Sequence, residues 1–321
     1  MFEIRAAVKN LKHQLLIKRA LRRNDFANVI WLIGDGRSGT TWIANLLNAD
    51  KTYREMFEPF HPVKVAEASN FSENMYVPPD EAHRQLQDYM VRVFDGSLTN
   101  SWIDRNVPNK RFKGLLVKDV FANLHAKWAT NIFPHVRPIL LIRNPLSVAS
   151  SKFVTKRWNW PENPDIFLKD EKLMLNHLSS FQAIIKGVRS RDDYIEKQVL
   201  NWCVIHKVLT EQFMLSDIHI LCYEDAYARP AECIDEALYF TNKTCEQALD
   251  KAVLNSKSIV SFKGSSIVEN KNPLTLWREN VTPHQLSLVS KLLNDFGFID
   301  WYPDLEKPNI STIKKFLPQI V

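Results

Sequence analysis

The stretch from Val29 to Asn45, VIWLIGDGRSGTTWIAN, restricts the possible folds more than any other part of the chain. Val29 to Ile33 are five consecutive apolar residues closed by Gly34, and a run without polar alternation fits a parallel strand covered on both faces. Gly34, Asp35, Gly36, Arg37, Ser38 and Gly39 then form a glycine-rich turn. From Thr40 onward the apolar spacing of Trp42, Ile43, Leu46 and Leu47 is helical. A strand, a glycine loop and a helix in this order aim backbone N–H groups and the positive end of a helix dipole at one point, where an anion is stabilised. The plainer reading of this stretch alone is a strand-to-helix turn with incidental glycines.

Gly34-x-x-x-x-Gly39 has the glycine spacing of a nucleotide triphosphatase loop, but Thr40 stands where the nucleotide-gripping lysine belongs. The cation is instead Arg37, inside the loop. The string RSGTTW, Arg37 to Trp42, resembles the 5′-phosphosulfate loop of sulfotransferases that use 3′-phosphoadenosine 5′-phosphosulfate (PAPS). The resemblance implies Arg37, Ser38, Gly39, Thr40, Thr41 and Trp42 at the nucleotide.

A second signature lies about a hundred residues on. In RNPLSVASSKF, Arg143 ends an apolar run, Asn144-Pro145 starts a helix in the favoured way, and Ser147, Ser150 and Ser151 fall in its first turns. An arginine at a strand end and a serine eight positions later can grip one phosphate from two sides; a capped helix with surface serines is the alternative. The pair Arg143 and Ser151 is similar to the 3′-phosphate motif of the same family. IHILCYEDAYARP, from Ile218 to Pro230, resembles its "YED" segment, which implies Tyr223 near the adenine with Trp42 stacked on it, and Glu224 and Asp225 as loop-holding groups. A core tyrosine is the other reading of Tyr223. Trp277 to Asn280, with the amphipathic run Pro283 to Phe298, looks like the last helix of carbohydrate sulfotransferases. The likeness spans Val29 to Phe298.

Further apolar runs supply the rest of a sheet. GLLVKDV (Gly114 to Val120) and VRPILLI (Val136 to Ile142) read as buried strands, and MFEPFHP (Met56 to Pro62) as the end of another. Ligands of an open α/β sheet sit outside the carboxyl ends of its strands, so Lys118, Asp119 and Arg143 are expected at the same crevice as the loop. The fold expected is α/β, a central parallel sheet flanked by helices with a P-loop-like nucleotide site. At 321 residues and 37.3 kDa, a single domain over residues 26–321 follows a basic helical segment over residues 1–25.

Composition limits the function classes. Hydrophobic content of 45% and charged content of 24% are ordinary for a globular protein, and no 18-residue apolar span occurs. The N-terminus lacks an apolar core and a small-residue cleavage site, so it is not a secretory signal. It reads as a solvated basic helix, with contact to an anionic membrane surface as the alternative, in a cytoplasmic protein. Cys203, Cys222, Cys233 and Cys245 show no metal or redox spacing and suit burial. A net charge of +6 and a pI near 9.0 fit a protein that handles anions, but the basic residues are spread along the chain, and no nucleic-acid partner is expected.

Sulfuryl transfer, like phosphoryl transfer, puts charge on the leaving group and is catalysed by positioning and electrostatics. The resemblance therefore implies Arg37 and Lys118 as the cations facing the bridging oxygen, and PAPS as cofactor without a metal. The strand-end lysine of many relatives is followed two positions later by a catalytic histidine; here that position is Val120. Glu58, in the segment Phe57 to Pro59 that resembles an "EP" of carbohydrate sulfotransferases, is the base expected instead, with His61 and Asp119 in reserve. The alternative for Glu58 is a carboxylate that shapes the loop through Arg37 or an amide. The expected acceptor is a hydroxyl of a carbohydrate or glycolipid, and the cations and rings of KFVTKRWNWPENP (Lys152 to Pro164) suit a sugar bearing carboxylate or phosphate; a tryptophan-anchored surface loop is the other reading. A nucleotide-binding regulator without turnover and a P-loop kinase are the rival functions.

Overall fold

A computed structural model describes residues 28–107, 112–155, 160, 162–244, 249, 254 and 271–319. The basic N-terminal segment, Cys245 and most of the run between Lys156 and Pro161 lie outside the described residues. Five strands form one sheet: β1 (Val29–Gly34), β2 (Tyr53–Phe57), β3 (Gly114–Lys118), β4 (Pro138–Ile142) and β5 (His219–Cys222). Their order is β2-β3-β1-β4-β5, and every neighbouring pair is parallel. β1 is central, pairing Val29 with Leu115 of β3 and Trp31 with Pro138 of β4.

All of β1 is buried, as its uninterrupted apolar run requires. Trp31 and Ile33 face one apolar layer with Phe94, Trp128 and Val199, whereas Ile30 and Leu32 face the other with Trp42, Ile43, Leu46 and Leu47. Burying each such side chain contributes about 1.5–3 kcal/mol, so both faces hold the strand in register. Two strands are shorter than their apolar runs. β3 stops at Lys118, because the Asp119 side chain already accepts from the following turn, and β4 begins only at Pro138.

The chain leaves β1 through the glycine loop into helix α1 (Thr40–Leu47) and reaches the sheet edge at β2; β4 then enters on the other side of β1. Connections diverge at the carboxyl end of β1, which opens a crevice there. Helix α2 (Pro145–Thr155) follows β4, α3 (Tyr194–Gln212) packs against α2, and α4 (Tyr223–Ala228) follows β5 directly. The amphipathic run near the C-terminus is helix α5 (Pro283–Asp295), opened by a capping box of Thr282 and Gln285 and ending three residues before Phe298. Among the described residues no helix is long and apolar enough to cross a membrane. Cys203, Cys222 and Cys233 are buried free thiols.

Candidate active site

The glycine loop is held by its own backbone and by one buried ion pair. Arg37 (φ 71°) and Gly39 (φ 98°) are left-handed, and the Ser38 amide and hydroxyl both donate to the carbonyl of Asp35, at 3.2 and 2.6 Å. Lys152 on α2 places Nζ 2.8 Å from both oxygens of Asp35, which ties the loop to the helix. A carboxylate buried in a glycine loop requires such a cation, a signal in the sequence that points to Asp35. Lys152 is thus turned inward, correcting its expected place among acceptor-side cations; Trp160 also lies on the loop, where a Cβ at Gly36 would come within 2.2 Å of its ring. A Cβ at Gly39 would lie 2.6 Å from the Tyr223 ring, so glycine there serves both a positive φ and a close contact. Helix α1 starts at Thr40 and Thr41 with no side-chain cap and no acidic residue in its first turn; the Trp42 and Ile43 amides donate to the Gly39 carbonyl, which leaves the first two amides of the helix to face an anion.

The two phosphate signatures meet at this loop. Arg37 Nε donates to Ser151 Oγ at 3.1 Å, and Arg143 Nη1 donates to the carbonyl of Arg37 at 3.1 Å. Arg143 Nη2 donates to the carbonyl of Pro273 at 2.7 Å, its guanidinium lies 4.2 Å over the Tyr223 ring, and its Nε is buried without a partner. Loss of hydration, and then the neighbouring charge of Arg143, lower Arg37 to about 10, while Glu58 acts in the opposite sense. Trp42 meets Tyr223 edge-on at 5.4 Å, and both rings are nearly buried. Glu224 holds the start of α2 and the C-terminal region together, accepting from the Asn144 amide at 2.9 Å and the Tyr302 hydroxyl at 3.1 Å.

Glu58 sits across the crevice. It leaves β2 in a left-handed conformation (φ 47°), its amide donates to the carbonyl of Lys118 at 2.7 Å, and its carboxylate pairs with Lys118 Nζ. The strand-end lysine is thus a direct partner of Glu58, and Arg37 also feels the Glu58 charge. His61 is buried edge-on against Trp102, 5.1 Å away, its Nδ1 accepts from the Val63 amide, and burial moves its pKa down. Asp119 is fully buried, and its oxygens accept from the amides of Phe60, Phe121 and Ala122, which locks the Glu58 turn to the end of β3. Burial, outweighing those amides, raises its carboxyl to about 7.

A parallel α/β sheet with a glycine loop at its switch point, followed by a helix and met by two arginines, is a P-loop-like architecture. The family described as "Sulfotransferase domain" matches residues 28–289, and the chain belongs to it. Among solved structures it is similar to a sulfotransferase from Alicyclobacillus acidocaldarius, at 14% identity and a TM-score of 0.39, covering 83% of this chain and 95% of that one. It is also similar to the sulfotransferase domain of the Synechococcus PCC 7002 olefin synthase (14%, 0.39, 83% and 94%) and to that of the curacin biosynthetic pathway (12%, 0.38, 84% and 98%). Comparison with curated proteins gives no match.

Proposed function

We propose that this sulfotransferase uses PAPS as donor, sulfates a hydroxyl of a carbohydrate or glycolipid, and folds as one domain over residues 26–321. The observation that carries the donor reading is the junction of Arg143, Arg37 and Ser151, in which two mutually repelling guanidiniums share a site with an orphaned Arg143 Nε. Such a site is stabilised by an anion with several acceptor oxygens, and the uncapped start of α1 adds donors of the same kind. PAPS, when bound, supplies the sulfuryl group and a bisphosphate leaving group.

On this reading Arg143 and Ser151 recognise the 3′-phosphate. Ser38, Gly39, Thr40 and Thr41 hold the 5′-phosphate, and Trp42 and Tyr223 flank the adenine. Arg37 and Lys118 stabilise charge developing on the leaving group, and Glu58 accepts the proton of the attacking hydroxyl, oriented by its pairing with Lys118. Asp119 positions the Glu58 turn through the Phe60 amide, and His61 Nδ1 holds the chain just beyond it at the Val63 amide. Calorimetric titration with adenosine 3′,5′-bisphosphate and with ATP tests the donor: the bisphosphate should bind at least about tenfold more tightly. Equal or tighter binding of ATP would overturn the reading in favour of a kinase.

A further inference from the structure

Beyond the Glu58–Lys118 pair, on the side away from the glycine loop, lies a group of cations and rings that the donor does not explain. Arg105 stacks its guanidinium 4.4 Å from the Trp102 ring and 5.1 Å from the Phe57 ring. Phe57 immediately precedes Glu58, and its ring also carries Lys118 Nζ at 4.3 Å, so Arg105 and Lys118 both lie against one ring. Lys64 Nζ lies 5.8 Å from the Trp102 ring, and His61 packs on the same indole.

The other buried carboxylates at this end of the sheet are already engaged: Glu55 accepts from Asn106 Nδ2 at 3.0 Å, and Asp119 accepts from the amides of Phe60, Phe121 and Ala122. Lys118 is paired with Glu58, Lys152 with Asp35, and Arg54 with Asp104. Asp104, next to Arg105 in sequence, accepts from Arg54 on Oδ1 and from the Asn100 amide on Oδ2. Among the described residues neither Arg105 nor Lys64 has an ion-pair partner, and Arg105 Nε and Nη1 are buried without an acceptor. Stacking on rings stabilises a cation but leaves the N–H edge of the guanidinium unsatisfied. An arginine held in this way beside a reacting carboxylate is organised for an oxyanion that arrives with the acceptor.

We propose that this crevice is an acceptor subsite for an anionic group, a carboxylate or a phosphate carried by the hydroxyl-bearing acceptor, with Arg105 as its principal contact and Lys64 at its rim. The proposal rests on the reading of Glu58 as the group that meets the acceptor hydroxyl. The aromatic faces of Trp102 and Phe57 place the guanidinium, and the anion fixes the acceptor so that one hydroxyl is presented to Glu58.

The test uses the full chain saturated with adenosine 3′,5′-bisphosphate and three probes: methyl β-D-glucuronide, glucose 6-phosphate and methyl β-D-glucoside, with binding followed by calorimetry or ligand-detected NMR. At least one charged probe should bind about tenfold or more tightly than the neutral glucoside, and whichever does so identifies the carboxylate or the phosphate as the source. Arg105→Gln, which keeps a polar stem against Trp102, should collapse that preference to near unity without changing affinity for the neutral sugar, and the exposed Lys64→Gln should reduce it by a smaller factor. Equal binding of charged and neutral probes by the unmodified protein, or a charge preference that survives in the Arg105→Gln protein at unchanged melting temperature, would overturn the subsite. Bisphosphate affinity is read in the same titrations, so failure of the donor reading shows as weak nucleotide binding and is separable from loss of the charge preference.

Discussion

The two halves of the crevice are built differently. On the side proposed for the donor, around β1, β4 and β5, the candidate residues come from short contiguous segments, the loop Gly34 to Trp42 and the strand-to-helix turn at Arg143, and backbone carbonyls, buried rings and an inward Lys152 hold them. On the side proposed for the acceptor, around β2 and β3, the candidate residues come from separate positions: Glu58, Lys64, Trp102, Arg105 and Lys118. A loop that wraps phosphates needs a continuous run of amides, so its chemistry is compressed into a motif. A pocket for an acceptor needs only side chains that converge, and sequence spacing constrains them weakly.

The comparison is broken most decisively at Glu58. Glu58→Gln keeps the shape and removes the proposed base, and should lower kcat by roughly 10²–10⁴-fold while leaving bisphosphate affinity intact. His61→Ala, which removes a packed ring whose Nδ1 serves the backbone, should lower it much less. If Glu58→Gln loses bisphosphate affinity instead, the two halves are not separable and Glu58 shapes the donor loop.

The next effect is on stability. Asp104→Ala strands the fully buried Arg54, which otherwise donates to Asp104 and to the carbonyls of Gly96 and Leu98. An uncompensated buried charge costs about 3–5 kcal/mol, readable by urea unfolding, and the loss should be felt on the β2 side. Arg143→Ala probes the donor side with a smaller change. It should weaken adenosine 3′,5′-bisphosphate by about 1.5–3 kcal/mol more than 5′-AMP, the difference between the two ligands being the readout because Arg143 also holds the carbonyl of Arg37.

The smallest effects separate the halves by pH. Asp119, on the acceptor side, is raised to about 7, so between its unfolded value and 7 the folded state binds more protons and stability is gained as pH falls through 7. His206, buried against Trp202 whose indole donates to the carbonyl of Arg143, is lowered by burial to about 4, so below pH 6.5 the unfolded state binds more protons and stability is lost as pH falls. Between pH 7.5 and 6 each contributes roughly 1 kcal/mol with opposite sign. Asp119→Asn should therefore remove the gain and His206→Gln the loss, seen as opposite changes in the slope of melting temperature against pH.

Much of the donor side is legible in the sequence. The unbroken apolar run of β1, the loop and the start of α1 fall where their residues indicate, as do β5 and the helix after Arg143, because each is dictated by local pattern. Strand ends are less legible: Asp119 belongs to the turn after β3, since its own side chain satisfies amides beyond it. Lys152 reads as a surface cation beside aromatic residues, and only tertiary contact reveals Asp35 as its partner. Arg105 and Trp102 carry no motif at all. Their significance lies in buried guanidinium N–H groups that lack an acceptor, which no spacing rule expresses.

The strand order has a consequence for biosynthesis. β1 can pair only with β3 and β4, so Val29 waits for Leu115 and Trp31 for Pro138, while β2, made in between, has β3 as its only neighbour. A ribosome adding about 5–20 residues per second leaves the most apolar strand of the chain unpaired for on the order of ten seconds. The half β2-β3-β1 can therefore assemble only once β3 is made, with β4 and β5 added after it, and during that interval the nascent β1 exposes an apolar segment of the kind that holdase chaperones bind.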